Sequence, residues 1–201
     1  MKLYFASGNE HKKLEMSRLL GGFELTLPKE EGIEFDVDEN GSSFIENAII
    51  KAKALYDIVK APVLSDDSGL IVDALGGEPG IHTARYGEEE AGRKLTAKEK
   101  YMLLLKNMEG IKEREARFTA ALCLMLSPTR IYVIEEDMDG KIATSPSGEN
   151  GFGYDPVFYI NDAKSIAAEL KEGEKDKYSH RSKAARCIKM LLEKEFNDRK
   201  K

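Results

Sequence analysis

The sequence predicts an α/β protein in which a mixed β-sheet carries flanking helices, and two observations predict it. In the first 60 residues short apolar runs alternate with helical stripes, the pattern of strand-helix units. In the second half, residues 116–126 alternate strictly, with Phe118, Ala120, Leu122, Leu124 and Leu126 on one face, and the chain turns back at Ser127-Pro128-Thr129. A sheet fed by strand-helix units on one side and a meander on the other is mixed rather than doubly wound. No repeat or low-complexity linker interrupts the chain, so residues 1–201 read as a single domain with two lobes.

The elements follow in order. Residues 2–6 (KLYFA) form a first strand, and residues 9–20 a helix with Met16, Leu19 and Leu20 on one face and Gly21-Gly22 as its stop. Residues 23–27 alternate as a strand that Pro28 ends, and residues 29–40 are an acidic connector. Ser43-x-x-Glu46 predicts a capping box for a helix whose stripe is Ile45, Ala48, Ile49, Ala52, Leu55, Tyr56 and Val59. Lys51 and Lys53 on that helix lie about 200° apart, so one can face the interior while the other meets solvent. Pro62-Val63-Leu64 and Leu70-Ile71-Val72 read as two buried strands, with Asp66, Asp67 and Ser68 at the corner between them and Gly69 permitting the turn. Residues 88–94 read as mobile surface before a second capping box, Thr96-x-x-Glu99, which opens a helix with Tyr101, Leu104, Leu105 and Met108 inward. After the long strand, residues 130–138 return antiparallel and Asp139-Gly140 signals a further hairpin. The last helix starts at Ser179-His180-Arg181 and runs through Ala184, Ile188, Leu191 and Leu192 to Phe196.

Composition narrows the function. A net charge of −5 argues against polymeric DNA or RNA as partner, and the basic end Arg199-Lys200-Lys201 is too short to change that. No run approaches the ~20 apolar residues of a membrane span. The apolar run in MKLYFASGN is too short for a signal peptide, so the expected compartment is the cytoplasm. Cys123 and Cys187 lack metal-ligand spacing and read as buried or spare thiols.

Three stretches carry candidate chemistry. Adjacent carboxylates at Asp66 and Asp67 repel unless a cation offsets them, and a hard divalent metal is the usual cation for oxygen ligands. Taken alone, the dipeptide fits an Asx-turn with solvated acids at least as well. The corner Ser7-Gly8-Asn9-Glu10-His11-Lys12 aims a helix N-terminus and a lysine at whatever sits above it, as an anion site would, although a capped helix with a solvated lysine accounts for it equally. It lacks the spacing of a P-loop. The glycine-rich run at residues 148–156 places Phe152, Tyr154 and Asp155 in a loop, where the aromatics either meet a flat ligand or plug the core. His180 and Arg181 stand in the first turn of a helix, where the dipole disfavours cations, and the acid-base run at residues 171–177 reads as solvated.

SGNEHK, the FIENA helix, LSDDSGLIVDALGGEPG, TARYG, ARF, NGFGYDPVF, AAEL and SHRSKA follow one another in register from the first strand to the last helix. In this order and spacing the chain resembles the inosine/xanthosine triphosphate pyrophosphatases, which hydrolyse deaminated purine triphosphates (ITP, dITP, XTP) to monophosphate and pyrophosphate and so keep them out of DNA and RNA. Thr83 stands where serine is common, and Asn150 where glycine is frequent.

The resemblance implies an elongated mixed sheet of two lobes around a central active-site cleft, a homodimer, and a need for Mg2+, with Mn2+ as a substitute. It implies that Ser7, Gly8, Asn9, Glu10, His11 and Lys12 cradle the triphosphate, with Lys51 and Lys175 as further phosphate contacts. Asp38, Glu39 and Asp67 would hold the metal, Asp67 would accept the proton of the attacking water, and Ser68 would bind substrate beside it. Phe152, Gly153, Tyr154 and Asp155 would meet the base, with His180 and Arg181 at its 6-oxo edge. Donor-only side chains there would accept hypoxanthine or xanthine and reject adenine. Two other readings share parts of this pattern: a pyrophosphatase for modified pyrimidine or methylated nucleotides, and a nucleotide sensor without turnover.

Overall fold

The computed structural model describes residues 2–171 and 173–198, with side chains described to residue 195, so the basic end Arg199-Lys200-Lys201 and the side chain of Phe196 lie outside the described residues. The helices are α1 (Glu10–Leu19), α2 (Phe44–Val59), α3 (Glu88–Ala91), α4 (Ala97–Asn107) and α5 (His180–Asp198). The strands are β1 (Lys2–Ala6), β2 (Glu24–Thr26), β3 (Val63–Val72), β4 (Glu115–Ser127), β5 (Arg130–Ile142), β6 (Phe158–Ile160) and β7 (Ser165–Ile166). They form one seven-stranded sheet in the order β2-β1-β3-β4-β5-β6-β7. β1 pairs parallel with β2 and β3, while β6 pairs antiparallel with β5 and β7, so the sheet is mixed, as the two sequence patterns predict.

Two compact units divide these residues, one of residues 2–67, 120–136 and 181–198, the other of residues 68–119 and 137–180. Each has its own apolar core. The first gathers Leu3 and Phe5 of β1, Met16 of α1, Leu64 of β3, Leu122 and Leu124 of β4, and Ile188 and Leu192 of α5. The second gathers Leu70 and Val72 of β3, Leu104 of α4, Met138 and Ile142 of β5, and Phe158 and Ile160. Beside the second core Arg114 bonds main-chain carbonyls: Nε donates to Ile142 O, Nη2 to Ala143 O, and Nη1 to Met108 O and Ile111 O. The Cys123 thiol is buried in β4, and burial pushes its pKa up to about 11, which leaves it inert at neutral pH.

Two glycine signals mislead. The predicted corner at Gly69 does not exist, because β3 runs unbroken from Val63 to Val72 and Gly69 is buried within it. Asp139-Gly140 is not a hairpin either: β5 continues through it to Ile142. Gly140 pairs with Ile160 in β6, and a Cβ there would stand 2.3 Å from Tyr159 O and 2.5 Å from the Phe158 ring. In both strands glycine marks a buried strand position rather than a turn, and at Gly140 the reason is close approach of a neighbouring strand.

Smaller differences have local causes. Ser43 Oγ accepts from Glu46 N, as a cap should, but the Glu46 carboxylate reaches Ser42 N and Oγ, so the predicted box is offset by one residue. The box at Thr96 and Glu99 is complete. Residues 88–91 form the short α3 on the surface, held where Glu88 Oε1 accepts from Leu95 N and pairs with Lys100.

Candidate active site

The site begins with the pleat of β3. Asp66 and Asp67 are successive residues of a straight strand, so their side chains leave opposite faces and each meets its own cations. The repulsion expected of neighbouring acids is relieved by geometry first and by lysine and arginine second.

On one face, Lys51 of α2 donates from Nζ to Asp67 Oδ1 at 2.8 Å and to Glu39 Oε2 at 2.8 Å. Lys51 is 6% exposed, whereas Lys53 faces solvent, as the helical spacing requires. The buried stripe of α2 is therefore rotated from the predicted one: Phe44, Asn47, Ala48, Lys51, Ala52 and Leu55 are buried, while Ile45, Ile49, Tyr56 and Val59 are half-buried. Burial lowers the Lys51 pKa, but Asp67 and Glu39 outweigh it and the ammonium is held above its usual value. Burial raises the Asp67 carboxyl, and the neighbouring Glu39 adds to this against the pull of Lys51, so Asp67 sits above the usual carboxylate range. Glu39 is less buried, and its contact with Lys51 overcomes desolvation and holds it below that range. Two carboxylates thus share one ammonium in surroundings of different burial. Asp38, next to Glu39, is exposed.

On the other face, Asp66 is 1% exposed and accepts from Lys12 Nζ at 2.6 Å through Oδ1 and from Arg181 Nε at 2.6 Å through Oδ2. Arg181 Nη1 donates onward to Glu15 Oε2 at 2.8 Å. Desolvation would raise Asp66, yet Arg181 and Lys12 prevail and hold its carboxyl far below the usual range. The same burial lowers the Lys12 ammonium more than Asp66 raises it. Lys12 is therefore a partly buried, paired lysine, not a solvated one. Sequence reading misses Glu15 as a partner, although Lys12 and Glu15 are three apart on α1 and so share a face.

The loop before α1 uses most of its own donors. Asn9 caps the helix, its Oδ1 accepting from His11 N and Lys12 N, while Asn9 N donates to Ser7 Oγ and Ser7 N to Phe5 O. Gly8 and Glu10 are the remaining amides of this corner, and a Cβ on Gly8 would meet nothing within 4 Å.

The second unit carries the other candidates. Asp155 is buried, and its Oδ2 accepts from Phe152 N at 3.0 Å and from Lys175 Nζ at 2.7 Å. Lys175 also lies 5.1 Å from the centroid of the Phe152 ring, so it belongs with this loop and is not solvated as its acid-base surroundings suggest. Gly151, at φ 77°, makes the fold of the loop possible, because a Cβ there would lie 2.1 Å from Asp155 Oδ2. The two loop aromatics part company: Tyr154 plugs the core and donates to Thr83 O, while Phe152 is 38% exposed. Gly153 takes a left-handed φ of 65° between them. His180 is buried and stacks on Phe118 with centroids 5.3 Å apart and rings 11° from parallel. Ser68 follows Asp67 on β3 and is half-buried.

Lys12, Glu39, Lys51, Asp67 and Arg181 are thus in the first unit, and Phe152, Asp155, Lys175 and His180 in the second. The family model described as the Ham1 family matches residues 3–191. The chain belongs to the Ham1 family. Among its relatives, a Treponema denticola protein named dITP/XTP pyrophosphatase is 49% identical over 192 residues, covering 96% of this chain and 98% of that protein. A Thermus thermophilus protein of the same name is 41% identical, covering 94% and 90%. The solved Ham1 protein of Coxiella burnetii superposes with a TM-score of 0.87 at 35% identity, over 96% of this chain and 99% of that one. That of Staphylococcus aureus gives 0.86 at 33%, over 97% and 100%.

Arg181 is central to the buried charges of this Ham1 chain. Replacing it by methionine strands Glu15 and half of Asp66 without a cation, and we expect a loss of about 3–5 kcal/mol in urea unfolding at neutral pH. A loss under about 1 kcal/mol would mean that both carboxylates find other cations.

Proposed function

We propose that this protein hydrolyses deaminated purine nucleoside triphosphates to the monophosphate and pyrophosphate. The observation that carries the reading is the buried Lys51 bridging Asp67 and Glu39, in a chain of a family whose relatives are named for this activity. Hydrolysis of a phosphoanhydride asks for charge neutralisation and a positioned water rather than a protein nucleophile. Lys12 and Lys51 neutralise phosphoryl oxygens. Asp67 takes the proton as water oxygen bonds to the α-phosphorus and pyrophosphate leaves.

A hard divalent ion fits the donors. Among the described residues no group of three or more possible ligands occurs, but Mg2+ keeps several waters and takes one or two carboxylates plus substrate phosphates. Glu39 and Asp67 would hold it, with exposed Asp38 close by in sequence. When bound it supplies further charge neutralisation at the phosphates and lowers the pKa of water.

Arg181 and His180 read the 6-oxo edge of the base, Phe152 offers its exposed ring for stacking, and Asp155 orders the loop that carries it. Lys175, which pairs with Asp155 beside Phe152, is a further phosphate contact in this reading. We further propose the cytoplasm as the compartment and a homodimer as the working form; among the described residues no helix is long and apolar enough to cross a membrane.

Two outcomes test this. With Mg2+ present, pyrophosphate release should be fast from ITP, dITP and XTP, slower from GTP, which keeps the 6-oxo group, and slowest from ATP, CTP and UTP. ATP turnover equal to that of ITP would remove the donor-edge account. Asp67→Asn should lower kcat for ITP by about two to four orders of magnitude with the fold intact by circular dichroism. A value within threefold of the wild type would remove Asp67 from the reaction.

A further inference from the structure

Asp66 has no part in the hydrolysis described above, yet it is the most completely enclosed of the charged residues around β3. Its two oxygens are divided: Oδ1 takes Lys12 and Oδ2 takes Arg181, each at 2.6 Å. These cations come from α1 and α5, and they are the ones assigned to the phosphates and to the base.

Lysine has no rigid geometry of its own, being a point charge on a four-carbon stem. Where Lys12 stands is therefore set by what it bonds, and here that is Asp66. Arginine presents a fork whose direction is fixed once one nitrogen is anchored, and the anchor of Nε is the same carboxylate. Asp66 is held in turn by β3, one peptide bond from Asp67, so the two cations and the proposed base share one rigid mount.

We infer that Asp66 is a positioning residue for selectivity, a carboxylate that ties the phosphate anchor Lys12 to the base reader Arg181 so that each responds to the other. This rests on the proposed pyrophosphatase reading. A base that suits Arg181 leaves the carboxylate and Lys12 in register for the phosphates. A base that displaces Arg181 shifts both, and discrimination then appears in kcat as well as in KM.

Inorganic tripolyphosphate separates this from simpler roles because it has phosphates and no base. In the full chain, its inhibition constant against ITP turnover is measured for the wild type, Arg181→Lys and Asp66→Asn. Arg181→Lys keeps a cation beside Asp66 while losing the fork, and it serves even if Asp66→Asn does not fold. Coupling predicts that Arg181→Lys weakens tripolyphosphate by about fivefold or more, the lower range for linked sites. It also predicts that Asp66→Asn weakens tripolyphosphate and narrows the ITP-to-ATP ratio of kcat/KM together, with part of the change in kcat. An inhibition constant within about twofold of the wild type in Arg181→Lys would overturn the inference, since independent sites behave additively to that degree. So would a parallel fall of all substrates in Asp66→Asn with the ratio unchanged, which is the mark of a purely structural residue. A wild type that is not inhibited by tripolyphosphate would overturn it as well. Failure of the underlying reading shows separately, as a wild type that does not prefer ITP over ATP.

Discussion

The alternation of β3 is the constraint on which the rest depends. A strand projects successive side chains to opposite faces, so the repulsion between Asp66 and Asp67 is resolved by separation before any cation is brought in. Each acid then collects partners from a different direction, Lys51 of α2 for one and Lys12 of α1 with Arg181 of α5 for the other. A corner at this place, as the glycine signal predicts, would put both carboxylates on one side and leave them to compete for the same cation. The straight strand instead makes two environments from one dipeptide, one strongly acidic and one shifted toward basicity. It is the general way in which a fold obtains different chemistry from identical groups.

Such burial has a cost. Removing charges from water is unfavourable by several kcal/mol for each ion, and pairing restores it only where the geometry is good. The Lys12, Asp66, Arg181 and Glu15 cluster is therefore a poor source of stability compared with an apolar cluster of the same volume, and its presence speaks for function. Arginine suits the place of Arg181 because its fork serves Asp66 and Glu15 through separate nitrogens. Lysine suits the place of Lys51, where a single nitrogen bridges two oxygens from different segments.

Much of the fold is legible where a period has room to repeat. The long alternation of β4, the capping box of α4 and the stripe of α1 all correspond to elements in the structure. β6 and β7 are three and two residues long, too short to show a period, and they escape sequence reading. Gly69 and Gly140 mislead because glycine occurs within strands as well as at turns, and at Gly140 only the tertiary neighbours Tyr159 and Phe158 give the reason. In the site, the sequence singles out Lys12 at a helix start, Lys51 and Lys53 on a helix and the pair Asp66-Asp67, but not which groups they bond. Asp66 and Arg181 lie 115 residues apart and Arg181 and Glu15 lie 166 apart, and no local rule connects them. The α2 stripe is misplaced for a related reason: hydrophobicity alone cannot say that a lysine occupies the buried face when its acids come from elsewhere.

The reaction is defined by which bond is broken. In the proposed reaction Lys12 and Lys51 would supply cations for phosphoryl oxygens and Asp67 a base for water, an arrangement suited to attack at the α-phosphorus with pyrophosphate as the leaving group. Turnover of ITP in water enriched in oxygen-18, followed by phosphorus NMR of the products, reads this in one experiment. Attack at the α-phosphorus predicts equal amounts of IMP and pyrophosphate, with the heavy oxygen on the monophosphate. Formation of IDP and orthophosphate, or the label on pyrophosphate, would contradict it.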